Sequence, residues 1–501
     1  MEGRTGGMEG KLVMVRQELG GAGGSGHVLT RDSINQNVVQ AEYAVRGKLY
    51  AAAQARSKAG KQVILTNVGN PQALGQKPIT FPRQVLALVT HPPLMERAKS
   101  LGIPSDAVQR AQEYLAAVGS TGAYQDSRGN ALVRKQVADF ITRRDGFPAD
   151  PDSVFLTDGA GVGITLCMRT AIRGRHDGVM MPIPQYPLYS ATVEVMNGTK
   201  VGYFLDESNE WGMDIAELDR AYNDAVASGV TPRIIVVINP GNPTGMCLTM
   251  ENLKDVLMWC ARRRVVLFAD EVYQTNIYKP DTRPFISFKK ALGELGGSAQ
   301  CSTELVSFNT VSKGALGECG RRGAYFEVVN VDSKVVDEIY KLLSMNLSSN
   351  VDGQIYVGLM CQPPVPGDPS FPLYNMEMNS IIESLKRRAL RLARTFNTME
   401  GVQCTEVTSS MYAFPQITLP PAAIEAARQA GHKPDEFYCL ELLDQTGICV
   451  VPGSGFGQKD STFHFRTTIL PPESMFDDII ERFTSFHAKF MRQYGGAKAK
   501  L

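Results

Sequence analysis

Lys313 stands in "SFNTVSKGALGECGRRGAY", between small hydroxyl residues and glycines, an odd setting for a solvated surface lysine. An amine held there can attack a carbonyl or carry a proton. In "VVLFADEVY" the acid Asp270 emerges from an apolar run, which is costly unless a cation answers it, and Tyr273 follows shortly after. In "IIVVINPGNPTG" a β-branched run ends where Pro240 and Pro243 bracket Asn242. Proline cannot continue a sheet ladder, and its fixed φ holds the Asn242 amide in one place. In "SVFLTDGAGVG" a glycine-rich turn opens a helix at Ala160 and Gly161, a cradle for a phosphate and equally a device for tight packing. In "GVMMPIPQYP" Tyr186 precedes a proline, placed to stack on a flat ligand or to fill the core.

Together these groups ask for one flat ligand that takes a phosphate cradle, a stacking ring, an amide and a phenol, a carboxylate and a lysine. Pyridoxal 5′-phosphate satisfies every one. Its aldehyde joins a lysine, its ring nitrogen needs an acidic partner and its phosphate needs donors. No single motif decides the matter; their order on successive strands does.

The elements that must hold these groups alternate. After a helix at residues 132–144, with Val133, Val137, Phe140 and Ile141 on one face, come the strand-like "SVFLT", "GVMMPI", "VGYFL", "IIVVI", "VVLFA", "ELVSF" and "GAYFEVV". Between the fourth and fifth, "LKDVLMWCARRR" puts Leu253, Val256, Leu257, Cys260 and Ala261 on one helical stripe. This alternation predicts an α/β fold with a mostly parallel sheet covered by helices on both faces, and ligands at the carboxyl ends of its strands. The Pro-rich "CQPPVPGDPSFP", 361–372, reads as a linker to a long helix near residues 379–399 and a second, smaller α/β domain.

Composition narrows the function classes. With 52 basic and 51 acidic side chains the formal net charge is +1, so no global field draws the chain to nucleic acid or an anionic membrane. No apolar run approaches the roughly 18 residues that span a bilayer. Nine cysteines without a C-x-x-C pair read as reduced core thiols, and with six dispersed histidines they predict no metal site. Residues 1–26 read as a flexible tail. Ala499-Lys500-Leu501 resembles the S-K-L type of peroxisomal address, so the expected location is cytoplasmic or peroxisomal.

"NPGNPTG", "DEVY" and "SKGALGECGRRGAY", in that order, resemble the fold-type I pyridoxal-phosphate aminotransferases. With "AEYAVRG", "NVGNPQALGQKPITF", "PIPQYPLYSAT" and "VVPGSGFGQ", the chain from about Asn35 to Phe490 is similar to the alanine aminotransferase group, which includes the glutamate:glyoxylate enzymes. The resemblance implies a large cofactor domain at 96–365 and a smaller domain built from both ends, with an arm at 27–95 and a C-terminal part at 366–501. It implies that Lys313 joins the cofactor and shuttles the substrate Cα proton, and that Asp270 keeps the pyridine nitrogen protonated. Tyr273 and Asn242 would hydrogen-bond the ring 3-oxygen, and Tyr186 would stack on the ring. Ala160, Gly161, Thr310 and Arg322 would hold the phosphate, with Tyr124 of "GAYQDSRG" crossing from the second subunit of a homodimer. Arg466 of "FHFRTTIL" would grip the substrate α-carboxylate, in a pocket lined by Gly69.

Gly161 stands where the family usually has Ser, Thr310 replaces another Ser, and Arg321 beside Arg322 leaves two candidates for the phosphate arginine. The implied reaction is ping-pong transamination between L-alanine or L-glutamate and a 2-oxo acid, pyruvate or 2-oxoglutarate, with glutamate:glyoxylate transfer as the alternative. A non-catalytic binding protein on the same fold is the rival from another class; retention of Lys313, Asp270 and Arg466 argues against it.

Overall fold

Seven apolar runs form one sheet in the computed structural model, which describes residues 27–43 and 47–495. The tail 1–26 and the ending Ala499-Lys500-Leu501 lie outside the described residues. The strands are β1 (Val154–Asp158), β2 (Asp177–Ile183), β3 (Thr199–Phe204), β4 (Thr231–Ile238), β5 (Val266–Asp270), β6 (Leu305–Thr310) and β7 (Gly323–Val329). Their order is β1-β7-β6-β5-β4-β2-β3. The sheet is parallel except for β7, which runs antiparallel to both β6 and β1. Only a turn containing the short 3-10 segment Cys319–Arg321 joins β6 to β7, too little chain for the helical crossover that a parallel return needs.

Side chains alternate across the sheet and bury on both sides, which is why the strands read as continuous apolar runs. Ile234, Val236, Phe268, Phe308 and Phe326 pack beneath residues of helices Ala160–Ala171, Leu188–Val195 and Ser333–Ser344. Ile235, Val237, Leu267, Ala269 and Leu305 face helices Ile215–Ala227 and Met250–Arg263. The expected stripe on the latter holds, with Leu253, Val256, Leu257 and Cys260 all buried. Val133, Val137 and Ile141 of helix Ala131–Asp145 likewise bury together, each such side chain contributing about 1.5–3 kcal/mol.

The second cluster gathers both ends of the chain. Ile64–Leu65 pairs in parallel with Ile448–Cys449, and strand Phe465–Thr468 lies between Tyr412–Ala413 and Val451–Pro452, antiparallel to both. Helices Phe371–Phe396 and Phe476–Tyr494 cover it. The first of these starts at Phe371 rather than near residue 379, because Pro372 occupies the first turn, where its missing N–H costs nothing. All nine cysteines are free thiols, every one buried except the half-buried Cys319.

Candidate active site

Register sets the site. Ile238 on β4 lies opposite Asp270 on β5, and Asp270 lies opposite Phe308 on β6, so β4 and β5 end level and β6 runs two residues further, to Thr310. Asn242, Asp270 and Lys313 therefore leave the sheet side by side. Asn239 turns the chain out of β4, its side-chain oxygen accepting from the Leu248 amide at 3.0 Å. Gly314, at φ 69°, donates its amide to Oδ1 of the fully buried Asn276 at 2.8 Å and fixes the backbone beside Lys313.

Asp270 is fully enclosed. The Tyr189 hydroxyl donates to its Oδ2 at 2.5 Å and the Val272 amide to Oδ1 at 3.4 Å, and among the described residues no cation pairs with it. Burial pushes its pKa up, against the pull of the Tyr189 hydrogen bond and the through-space attraction of Lys313. Lys313 is half-buried; its Nζ donates to the Gly69 carbonyl at 3.1 Å and lies 5.6 Å from the centre of the Tyr273 ring.

Arg466 is 1 % exposed on its strand. It donates to Oδ1 of Asn242 at 3.0 Å and to the Asn67 carbonyl at 2.5 Å, while its buried Nε has no partner. The Tyr412 and Phe456 rings lie 4.3 and 4.7 Å from the guanidinium carbon. Asn242 in turn donates to the Tyr273 hydroxyl at 3.4 Å, and Tyr273 donates to Tyr412 at 3.2 Å.

At the end of β1, Gly159 takes φ 92°, and helix Ala160–Ala171 begins. The first amides of that helix, on Ala160 and Gly161, have no intrahelical partner to donate to. A Cβ on Gly159 would fall 2.0 Å from an Arg322 guanidinium nitrogen, so glycine there makes room for the arginine. Arg322 donates to the Asp158 carbonyl at 3.1 Å, whereas Arg321 lies toward the carboxylates of Glu318 and Asp352 and over the Tyr356 ring. The Thr310 hydroxyl donates to the Gly323 carbonyl at 2.9 Å and sits 3.1 Å from that of Ser312.

Three features fit pyridoxal phosphate: a buried carboxylate without a cation, an amine near it whose partner is a carbonyl, and a helix N-terminus facing an arginine free of carboxylates. Residues 93–483 match the family described as aminotransferase class I and II. The chain belongs to that family.

This aminotransferase is 52 % identical over 468 residues to glutamate–glyoxylate aminotransferase 1 of Arabidopsis thaliana, covering 93 % of this chain and 97 % of that one. It is 45 % identical over 481 residues to alanine aminotransferase 1 of Homo sapiens, covering 93 % and 96 %. The solved structure of an alanine aminotransferase from Pyrococcus furiosus shares the fold, with a TM-score of 0.73 and 23 % identity over 91 % of this chain and 100 % of that one.

Within the aminotransferase fold, Gly69, Asn242, Asp270, Tyr273, Lys313 and Arg466 come together, and Ala160, Gly161, Thr310 and Arg322 line the turn beside them. Tyr186 is half-buried, and its hydroxyl meets that of Tyr43 at 2.5 Å. Tyr124 stands apart, 77 % exposed. Sequence reasoning missed three tyrosines, Tyr43, Tyr189 and Tyr412. Tyr189 lies within the quoted "PIPQYPLYSAT" without a role, and Tyr412 lies in no quoted motif; only the cost of leaving a buried hydroxyl unpaired hints at polar work. Tyr43 lay within the quoted "AEYAVRG", without a role.

Proposed function

We propose that this aminotransferase holds pyridoxal 5′-phosphate on Lys313 and moves an amino group between L-alanine or L-glutamate and a 2-oxo acid, pyruvate or 2-oxoglutarate, by a ping-pong mechanism. The observation that carries the reading is Asp270: a buried carboxylate with no cation is costly alone and becomes favourable against a protonated pyridine nitrogen. Bound there, the cofactor supplies an electron sink for the pair left on the substrate Cα. Lys313 is the amine that would hold the cofactor aldehyde and the base that would take the substrate Cα proton. Tyr189 keeps Asp270 aimed and, by donating to it, favours the ionised form against the push of burial. Asn242 would turn its second amide N–H to the ring 3-oxygen with Tyr273 beside it, the Tyr273 proton being directed to Tyr412, and the half-buried Tyr186 would cover the ring. Ala160, Gly161, Thr310 and Arg322 would hold the phosphate; Arg322 fits better than Arg321, whose neighbours are carboxylates. Arg466 receives the substrate carboxylate through its unpartnered Nε and the fork it belongs to, beside Gly69. The exposed Tyr124 is free to reach a neighbouring subunit's phosphate site, as a homodimer would require.

Glutamate:glyoxylate transfer is the second reading, favoured by 52 % identity to enzymes of that name against 45 % to 49 % to relatives named for alanine. Initial rates with alanine or glutamate against pyruvate, 2-oxoglutarate and glyoxylate separate the two. Borohydride reduction followed by peptide mapping should place the cofactor on Lys313, and Lys313→Ala should not turn over. Normal turnover by that variant, or a label on another lysine, ends the reading.

A further inference from the structure

Tyr412 has no part in the assignments above, yet its hydroxyl accepts from Tyr273 and its ring lies against Arg466. The residue is 3 % exposed. It lies on the strand beside Arg466, Ala413 pairing with Thr467, so that Tyr412 and Arg466 are diagonal neighbours on one face. The guanidinium carbon of Arg466 sits 4.3 Å from the centre of its ring. At the other end, a Cβ on Gly69 would fall 2.2 Å from the Tyr412 oxygen and 3.3 Å from Lys313 Nζ, so phenol and amine flank the same glycine.

The hydrogen bonds have a direction. Arg466 donates to Asn242, Asn242 donates to Tyr273, and Tyr273 donates to Tyr412. Each donor points toward Tyr412, whose oxygen ends the chain as an acceptor next to the lysine. The groups facing it are Lys313 and the half-buried Cys319 thiol from the turn after β6, Tyr273 after β5, Tyr186 after β2, and Arg466 from the neighbouring strand. Burial alone would push the Tyr412 hydroxyl up, but the Lys313 and Arg466 charges and the hydrogen bond from Tyr273 outweigh it and leave the group below its ordinary value. Tyr273, the donor of the pair, is held well above its own by burial and by Tyr412.

We propose that Tyr412 is a positioning residue that ties the carboxylate-binding Arg466 to Lys313, its ring supporting the guanidinium and its hydroxyl setting how readily the lysine nitrogen holds a proton. The inference rests on the transaminase reading. It works through charge and hydrogen bonding, and no bond to carbon is made or broken by the tyrosine. Binding of a carboxylate at Arg466 neutralises one of the two cations that favour a charge-rich Tyr412 oxygen, and the other is Lys313. Substrate arrival is thereby felt at the lysine.

The test is Tyr412→Phe in the full-length, cofactor-loaded enzyme, with Tyr412→Leu beside it. Phenylalanine keeps a ring over Arg466 and removes only the hydroxyl. Without that oxygen the protonated lysine nitrogen is less favoured, so the pH midpoint of the cofactor's visible absorbance change should fall by about half a unit or more. Turnover should drop about tenfold while KM for the amino acid stays within about twofold, because the guanidinium keeps its support. Leucine, which removes the ring as well, should also raise KM. A Phe variant whose midpoint and kcat both match the wild type would show the hydroxyl to be mere packing and overturn the proposal. A wild-type protein with no visible band after loading would instead sink the transaminase reading, and this inference with it.

Discussion

The Arg466 guanidinium donates to the side-chain oxygen of Asn242 at 3.0 Å across 224 residues of sequence, joining strand Phe465–Thr468 to the loop after β4. The same amide donates to Tyr273. Asn242→Ala therefore strips a partner from a buried cation and from a buried phenol at once. A hydrogen bond to a charged group contributes about 1.5–3 kcal/mol, so kcat/KM for the amino acid should fall by roughly 10- to 100-fold, much of it in KM. Steady-state kinetics of the variant check this, and an unchanged KM would count against the arginine's role.

Asp270→Asn tests the carboxylate itself. Asparagine can keep its oxygen toward the Val272 amide and donate its NH2 to the Tyr189 hydroxyl, which can rotate to accept, so the fold should hold. What it cannot do is keep a ring nitrogen protonated. Turnover should fall by about 100- to 1000-fold, the scale expected for losing one preorganised charge, while cofactor still binds. A variant that retained a tenth of wild-type turnover would refute the electron-sink assignment.

Much of this site was legible from strand ends. A sheet buried on both faces releases polar residues only where its strands stop, so Asn242, Asp270 and Lys313 stood out against their apolar neighbours. Turn chemistry made Gly159 and the start of the following helix visible in the same way. What stayed hidden was the aromatic shell. Tyr412 and Tyr189 sit in apolar stretches with the pattern of ordinary core residues, and their hydroxyl partners come from distant segments. The sense of β7 was also hidden, since an apolar run reads alike in either direction, and so was the early start of the helix at Phe371.

Gly159→Ala probes the cradle. At φ 92° an L side chain is strained, and the added methyl would meet the Arg322 guanidinium, which can swing aside. The backbone cost is about 1 kcal/mol, and the displaced arginine should weaken cofactor affinity about tenfold. Arg322→Ala should weaken it similarly, and the double variant should lose no more than either alone, because both act on one contact. Equilibrium titration of the cofactor-free protein with pyridoxal phosphate measures all three. Full additivity would separate the glycine from the arginine.

Glu271, next to Asp270, points to the opposite side, into a buried set where two cations, Arg144 and Lys289, meet three carboxyls, Asp145, Glu271 and Glu327. Arg144 is spent on Asp145, donating through two nitrogens at 2.6 and 2.7 Å, and Lys289 pairs with Glu327. Glu271 accepts the Phe288 amide at 2.8 Å and is left as the surplus acid. Burial pushes it up to about 8 from an ordinary 4.5, opposed by Arg144 and reinforced by Asp145 and Glu327. A carboxyl whose folded value lies above its unfolded value makes the unfolded chain release its proton first. Stability therefore declines as pH climbs from about 4.5 to about 8 and levels off beyond. Glu271→Gln keeps the acceptor for Phe288 and has no proton to lose. Its thermal midpoint should match the wild type near pH 4.5 and exceed it above pH 8, where the stability difference is on the order of 5 kcal/mol. Melting curves across that range decide it: parallel wild-type and variant profiles would mean that Glu271 is ionised in the folded protein after all.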